Sequence, residues 1–234
     1  MVQSGIPIAQ NVAEVRQRIA EAAARSGRVA SDITLVAVTK YVGLPEIRDL
    51  LDAGCTDLGE SRPQQLWEKA AALADVPICW HLIGHLQRNK VRRTVPLVGL
   101  MHSADSAPLI ATVDQVAGDL KRRLPLLLEI NISGDATKHG LLPDEVEPLL
   151  ESLPTFRNIE VRGLMCMAAL EGGLDAARRD FAALRTLRDR LVSRAPAQVS
   201  LRDLSMGMSG DYCVAIEEGA TIVRVGSALF ENRG

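Results

Sequence analysis

Residues 33–40 read Ile-Thr-Leu-Val-Ala-Val-Thr-Lys, a run rich enough in β-branched residues to be a buried strand that closes on the amine of Lys40. A lysine in apolar surroundings has its ammonium form disfavoured, and the neutral amine is the form that attacks an aldehyde to make a Schiff base. Two small-residue turns stand far along the chain, Ser-Met-Gly-Met-Ser-Gly-Asp at 205–211 and Val-Arg-Val-Gly-Ser at 223–227. In the first, Ser205, Gly207, Ser209 and Gly210 lead into a helix begun near Asp211, whose first N–H groups lack partners and suit an anion. Gly226 and Ser227 repeat the pattern, since glycine lets backbone approach phosphate oxygens closely and serine adds a hydroxyl donor. Arg224 alternates with Ile222 and Gly226, which puts its guanidinium on their inward face, where it needs a partner. That partner is either an acid such as Glu129 or an aromatic nitrogen. In the second case the nitrogen stays unprotonated, because arginine keeps its proton, and the ring is a weaker electron sink than one facing a carboxylate. An amine for an aldehyde, a cradle for a phosphate and a guanidinium for a ring nitrogen together describe pyridoxal 5'-phosphate.

A barrel would bring these distant groups together. Strand patterns fall at 33–40, 56–60, 78–84, 98–103, 126–132, 161–168, 201–206 and 222–227. Helical patterns lie between them at 45–53, 63–73, 86–94, 107–121, 143–153, 176–194 and 211–218. A leading helix over 8–25 carries Val12, Val15, Ile19 and Ala22 on one face and stops at Ser26 and Gly27. Several strands are apolar on both faces, as in a parallel sheet covered by helices outside and packed inside. The order predicts a single (β/α)8 barrel over residues 1–234, with the leading helix covering the place of a helix absent after the eighth strand. A doubly wound open sheet is the structural competitor. In a barrel, ligands gather at the carboxyl ends of the strands, and phosphate sites are frequently built after strands seven and eight.

Composition narrows the partners. The 234 residues are 47% hydrophobic and 24% charged, with a formal net charge of −2, which gives no general attraction to nucleic acid or to an anionic membrane. Cys55, Cys79, Cys166 and Cys213 are far apart, with neither C-x-x-C spacing nor a nearby histidine pair, which argues against a metal site and reads as isolated buried thiols in a reducing compartment. Residues 1–7 have no signal-peptide pattern and no apolar run approaches the ~18 residues of a membrane span, so a cytoplasmic protein is expected. Arg88, Lys90, Arg92 and Arg93 read as a solvated helix face without interleaved aromatics. His81 either borders a ligand at the barrel mouth or is satisfied by backbone. Met165, Met167, Met206 and Met208 are core fillers by type, with Met165 and Met206 placed where strands six and seven reach the mouth.

At this point the motifs become recognisable as a set. They are A-V-T-K at 37–40, G-E at 59–60, W-H-L-I-G-H-L-Q-R-N-K at 80–90, H-S-A-D-S at 102–106, R-G-L-M at 162–165, S-M-G-M-S-G-D at 205–211 and V-R-V-G-S-A-L-F at 223–230. In order and spacing the chain resembles the YggS/PROSC family of pyridoxal phosphate homeostasis proteins over nearly its whole length. The resemblance implies a barrel like the N-terminal domain of alanine racemase, with Lys40 as the aldimine lysine and Arg224 facing the pyridine nitrogen. It also implies phosphate contacts from Ser205, from the backbone around Met206 and Gly207, and from Gly226 with Ser227. The chain departs from the family after G-E, where Ser61 replaces the usual asparagine and puts a contact on strand two in doubt. Met165-Cys166-Met167 is a smaller departure.

Three functional classes fit these residues. The first is a non-catalytic protein that holds pyridoxal phosphate on Lys40 in intracellular vitamin B6 homeostasis and supplies it to apoenzymes. The second is a racemase-like enzyme, for which the chain looks short of an acid or base on the second face of the substrate. Tyr41 is expected to point away from Lys40 by strand alternation, and Tyr212 lies beyond the phosphate turn. The third is a barrel enzyme using Lys40 on a phosphorylated metabolite, which leaves Arg224 less well explained. The lack of a second domain favours a monomer.

Overall fold

Alternation is the rule that builds the core. In the computed structural model, which describes residues 8–135, 139–169, 171–196 and 199–231, Val36, Leu100, Leu127, Met165 and Ile222 form one buried cluster. Their strand neighbours Ala37, Leu126, Leu128, Val223 and Val225 belong to a second, larger cluster. Successive side chains of a strand face opposite sides, so the smaller cluster fills the inside of a sheet and the larger lies between the sheet and its helices.

The sheet closes on itself. Among the described residues eight parallel strands run in sequence order: β1 Thr34–Val38, β2 Asp57–Glu60, β3 Cys79–Leu82, β4 Leu100–Ala104, β5 Leu124–Glu129, β6 Ile159–Met165, β7 Asp203–Ser205 and β8 Ile222–Val225. Closure comes from β8 pairing with β1, in register from Thr34 opposite Ile222 to Ala37 opposite Val225. This is the predicted (β/α)8 barrel, and the open sheet is excluded.

The helices are α1 Ile8–Arg25, α2 Leu44–Asp52, α3 Pro63–Ala72, α4 Val91–Thr94, α5 Ala107–Asp119, α6 Val146–Ser152, α7 Gly173–Val192, α8 Tyr212–Glu217 and α9 Ser227–Phe230. The leading helix is present as read, with Val12, Val15, Ile19 and Ala22 buried. It packs on α8, α9 and α2. Asn11 is buried with them and donates to Leu229 O at 3.1 Å and Glu231 O at 3.3 Å, which ties the start of the chain to its last turn.

Four expectations change. A short helix, α9, does follow β8, so α1 covers it rather than replacing it. The helix expected over 86–94 is broken into Arg88–Lys90 and Val95–Leu97 3-10 turns on either side of α4. Its basic cluster is also not purely solvated, since the Arg93 guanidinium lies 4.1 Å from the Trp67 ring centroid. Finally, β5 begins at Leu124 and includes Pro125, which a strand reading from 126 left out. A register shift beside it, between Leu126 and Leu127, is the kind of irregularity at which a residue without an N–H is tolerated. Among the described residues no helix is long and apolar enough to cross a membrane. The reading of residues 1–7 lies outside the described residues.

Candidate functional site

β1 ends at Val38, two residues before Lys40, because Thr39 begins a turn closed by the Val42 N–H donating to Thr39 O at 3.1 Å. Alternation therefore stops before the amine. Lys40 is half-buried and its Nζ lies 4.9 Å from the centroid of the Tyr41 ring. The expectation that Tyr41 points away from Lys40 is overturned, because residue 41 belongs to the turn and not to the strand.

That turn is clamped from β2 and α3. Glu60 is fully buried and pairs with Lys69 Nζ at 2.6 Å. Lys69 also donates to Thr39 O at 2.7 Å, and Thr39 Oγ1 lies 3.3 Å from Glu60 Oε2. The other Glu60 oxygen accepts the Ser61 N–H at 2.9 Å. A carboxylate so deeply buried needs a partner and several donors, and it has them. Lys69 went unremarked in the sequence; the available signal was an acid at the end of a short buried strand, which requires a cation nearby.

Arg224 sits one strand away, opposite Val36 in the β1–β8 ladder. The turns that carry Lys40 and Gly226 thus leave the same end of two adjacent strands. The guanidinium is 4% exposed, inside the barrel as its alternation with Ile222 required. Its Nη1 donates to Ser205 Oγ at 2.6 Å and its Nη2 to Cys166 O at 2.9 Å. Both acceptors are neutral, and the alternative ion pair with Glu129 is not formed among the described salt bridges. Burial lowers the Arg224 pKa, opposed by the nearby Cys166, Glu129 and Asp211. A buried cation held in place by neutral groups suits a ligand that brings an acceptor atom to it.

The two glycine turns meet beside it. Gly226 N–H and Ala228 N–H converge on the Ser209 hydroxyl oxygen at 3.1 and 3.3 Å. Asp211 Oδ1 accepts the Met208 N–H at 2.6 Å and pins the loop, and Arg224 N–H donates to Gly207 O at 3.0 Å. Gly207 has φ +91°, and a Cβ there would lie 2.5 Å from Ala215 Cβ and 2.9 Å from Tyr212 Cα. Only glycine fits. Convergent amides beside a hydroxyl are a donor set that fits a phosphate oxygen.

The predicted site residues divide on this geometry. Lys40, Gly207 and Gly226 lie in the turns at the carboxyl ends of β1, β7 and β8, and the exposed Ser227 opens α9 directly after the last of them. Ser205 is fully buried inside the barrel, bonded to Arg224 and, at 2.8 Å, to His102 Nδ1. Met206 faces outward into the helix layer, and its N–H is engaged by Ile222 O at 3.1 Å. Ser209 and His102, absent from the predicted set, are the residues that join its parts. His81 neither borders the mouth nor bonds backbone: it binds His102 at 2.9 Å and Asp57 at 3.0 Å. Cys79 is exposed rather than buried, and burial of its sulfur and the adjacent Asp57 raise its pKa to about 11. None of the four cysteines forms a disulfide. On β5, burial first and Asp105 second push the Glu129 carboxyl up to about 7, against the pull of Arg224 and His85.

The fold and the site now define a class. Residues 8–233 match the family model described as alanine racemase, N-terminal domain. Alanine racemase of Clostridium difficile shares the fold at a TM-score of 0.73 and 14% identity, with 94% of this chain covering 56% of that one. The nearer relatives are more particular. The pyridoxal phosphate homeostasis protein of Aquifex aeolicus is 38% identical over 224 residues, 96% of this chain and 97% of its own. That of Pseudomonas aeruginosa is 37% identical over 226 residues, covering 97% and 96%. PipY of Synechococcus elongatus, solved with pyridoxal phosphate bound, superposes at a TM-score of 0.86 with 36% identity, over 96% of this chain and 100% of PipY. The chain belongs to the pyridoxal phosphate homeostasis protein family, as its motifs had suggested.

Proposed function

We propose that this protein binds pyridoxal 5'-phosphate reversibly and acts in vitamin B6 homeostasis, holding the cofactor and releasing it to apoenzymes without a dedicated reaction of its own. Lys40 is the amine that joins the cofactor's aldehyde carbon covalently. Arg224 Nη donors face the ring nitrogen and keep it unprotonated. The phosphate lies against the backbone of Gly207, Gly226 and Ser227 and the adjoining hydroxyls, with Ser205 and Met206 fixing the strand end that supports them. The observation that carries this reading is the shared exit of three turns, bearing Lys40, the glycine cradle and the Arg224 strand, at one end of the barrel. The relatives' names and the cofactor seen in PipY support it.

A racemase-like activity gains one observation, the Tyr41 ring beside the Lys40 amine. Tyr41 is 79% exposed, however, and a residue that water reaches so freely is a poor guard for a carbanion. The deciding experiment loads the protein with pyridoxal phosphate, reduces it with borohydride and maps the adduct by peptide mass. It is expected on Lys40 and absent from Lys40→Ala, which should retain weak, phosphate-directed binding. Incubation of the loaded protein with single-enantiomer alanine should give no sustained racemisation. Turnover of roughly one per second, in the ordinary range for enzymes, would replace the carrier reading with the catalytic one.

A further inference from the structure

A line of side-chain hydrogen bonds crosses the barrel interior, and its direction is dictated from one end. Asp57, at the start of β2, accepts from His81 Nε2 at 3.0 Å. His81 Nδ1 lies 2.9 Å from His102 Nε2, His102 Nδ1 lies 2.8 Å from Ser205 Oγ, and Ser205 Oγ accepts from Arg224 Nη1 at 2.6 Å. The line thus passes from β2 through β3 and β4, across the interior to β7, and on to β8. His81, His102, Ser205 and Arg224 are each less than 5% exposed.

Each link constrains the next. The His81 bond, first, and the Cys79 thiol also hold the Asp57 carboxyl below its usual range despite partial burial. A carboxylate accepts only, so His81 must carry its proton on Nε2. In the neutral ring Nδ1 is then an acceptor, which requires the proton of His102 to be on Nε2. His102 Nδ1 is left as an acceptor, and it takes the Ser205 hydroxyl proton. The Ser205 lone pairs then face the Arg224 N–H. All four bonds are satisfied by one arrangement of protons, with both imidazoles neutral. Burial depresses the His102 pKa well below its usual value, and the charges of Arg224 and Arg162 push it the same way, in keeping with a neutral His102 ring. Were His81 doubly protonated, His102 would have to donate to Ser205, whose oxygen can accept from both His102 and Arg224 but whose own proton would then have no acceptor in the line.

We propose that His81 and His102, anchored on Asp57, are positioning residues that orient Ser205 and through it the Arg224 guanidinium. Other charged groups near this line are Arg162 on β6, paired with Asp203 on β7 at 2.8 Å, Glu129 on β5 and Asp211 after β7. Cys166 O holds the second guanidinium nitrogen. The consequence for the ring nitrogen rests on the pyridoxal phosphate reading; the proton arrangement itself does not.

The test uses the full chain. Long-range proton–nitrogen NMR of the imidazoles in cofactor-free protein should find both His81 and His102 carrying their proton on Nε2 at pH 8, with His102 unchanged from pH 6 to 8. An Nδ1–H tautomer at either residue, or a titration of His102 in that range, overturns the proposal. In His102→Leu the Arg224 side-chain N–H signal should lose its protection from exchange, and His102→Gln, whose amide can donate to His81 and accept from Ser205, should restore much of it. If the leucine variant fails to fold, the glutamine variant and the tautomers still decide. With pyridoxal phosphate added, His102→Leu should bind roughly tenfold more weakly, the equivalent of one lost hydrogen bond to a charged group. It should also shift the pH response of the bound cofactor's absorbance. A variant that is merely less heat-stable, with Arg224 protection and cofactor spectrum unmoved, refutes the positioning role. Failure of the wild type to take up pyridoxal phosphate would refute the functional reading alone, because the tautomers and Arg224 protection are measured without it.

Discussion

Replacing Glu129 with glutamine should stabilise this protein at alkaline pH and leave it nearly unchanged in acid. The Glu129 carboxyl is 4% exposed at the end of β5, near Asp105, and its pKa rises from 4.5 to about 7. A carboxyl whose folded pKa is raised binds its proton more tightly in the native state than in the unfolded chain. Its stabilising contribution is therefore complete below about pH 4.5 and is lost as pH climbs through about 7. At 1.36 kcal/mol per pKa unit, the shift amounts to about 3 kcal/mol between the two limits. Glutamine has the same shape and no charge to bury, so it escapes this loss. Urea unfolding of cofactor-free wild type and Glu129→Gln at pH 4.5, 6 and 8 isolates the effect, since groups that titrate alike in both proteins cancel. With a urea slope of roughly 3 kcal/mol per molar, the midpoints should separate by about 1 M at pH 8 and converge at pH 4.5. A separation that stays constant with pH would show that folding leaves the proton affinity of Glu129 unchanged, and that its burial beside Asp105 does not govern its proton.

Two further substitutions probe the supports of the site. Lys69→Met leaves Glu60 buried without its cation, which should cost about 3 kcal/mol at pH 7 by chemical denaturation and weaken the Lys40 adduct; a loss under about 1 kcal/mol would mean that the Glu60–Lys69 pair contributes no more than an exposed ion pair. Gly207→Ala forces a side chain onto a backbone with φ +91° and into Ala215. It should lower stability by at least about 1 kcal/mol and reduce protection by inorganic phosphate in thermal melts, and unchanged phosphate protection would remove that turn from the cradle.

Much of this was legible in the chain because it depends on local rules. Alternation placed Arg224 inside the barrel, and the count and order of apolar runs predicted its closure. Lys40, Gly207 and Gly226 announced themselves by residue type at strand ends. What the sequence hid were contacts between residues distant along the chain. Lys69 meets Glu60 across a helix–strand layer, Ser209 reaches the amides after β8, and His102 reaches Ser205 over a separation of 103 residues. Period-two reasoning also overran its domain at Tyr41, where a turn replaces the strand.

Residue types and their periodicity therefore determined the barrel, the amine and the glycine turns, because those follow from the pleat of a strand and from the steric demands of glycine. Only the closed sheet decided which buried polar groups face one another across its interior. Neither the proton order from Asp57 to Arg224 nor the neutral partners of the guanidinium can be read along a chain, since each hydrogen bond is fixed by strands that meet only when the barrel closes.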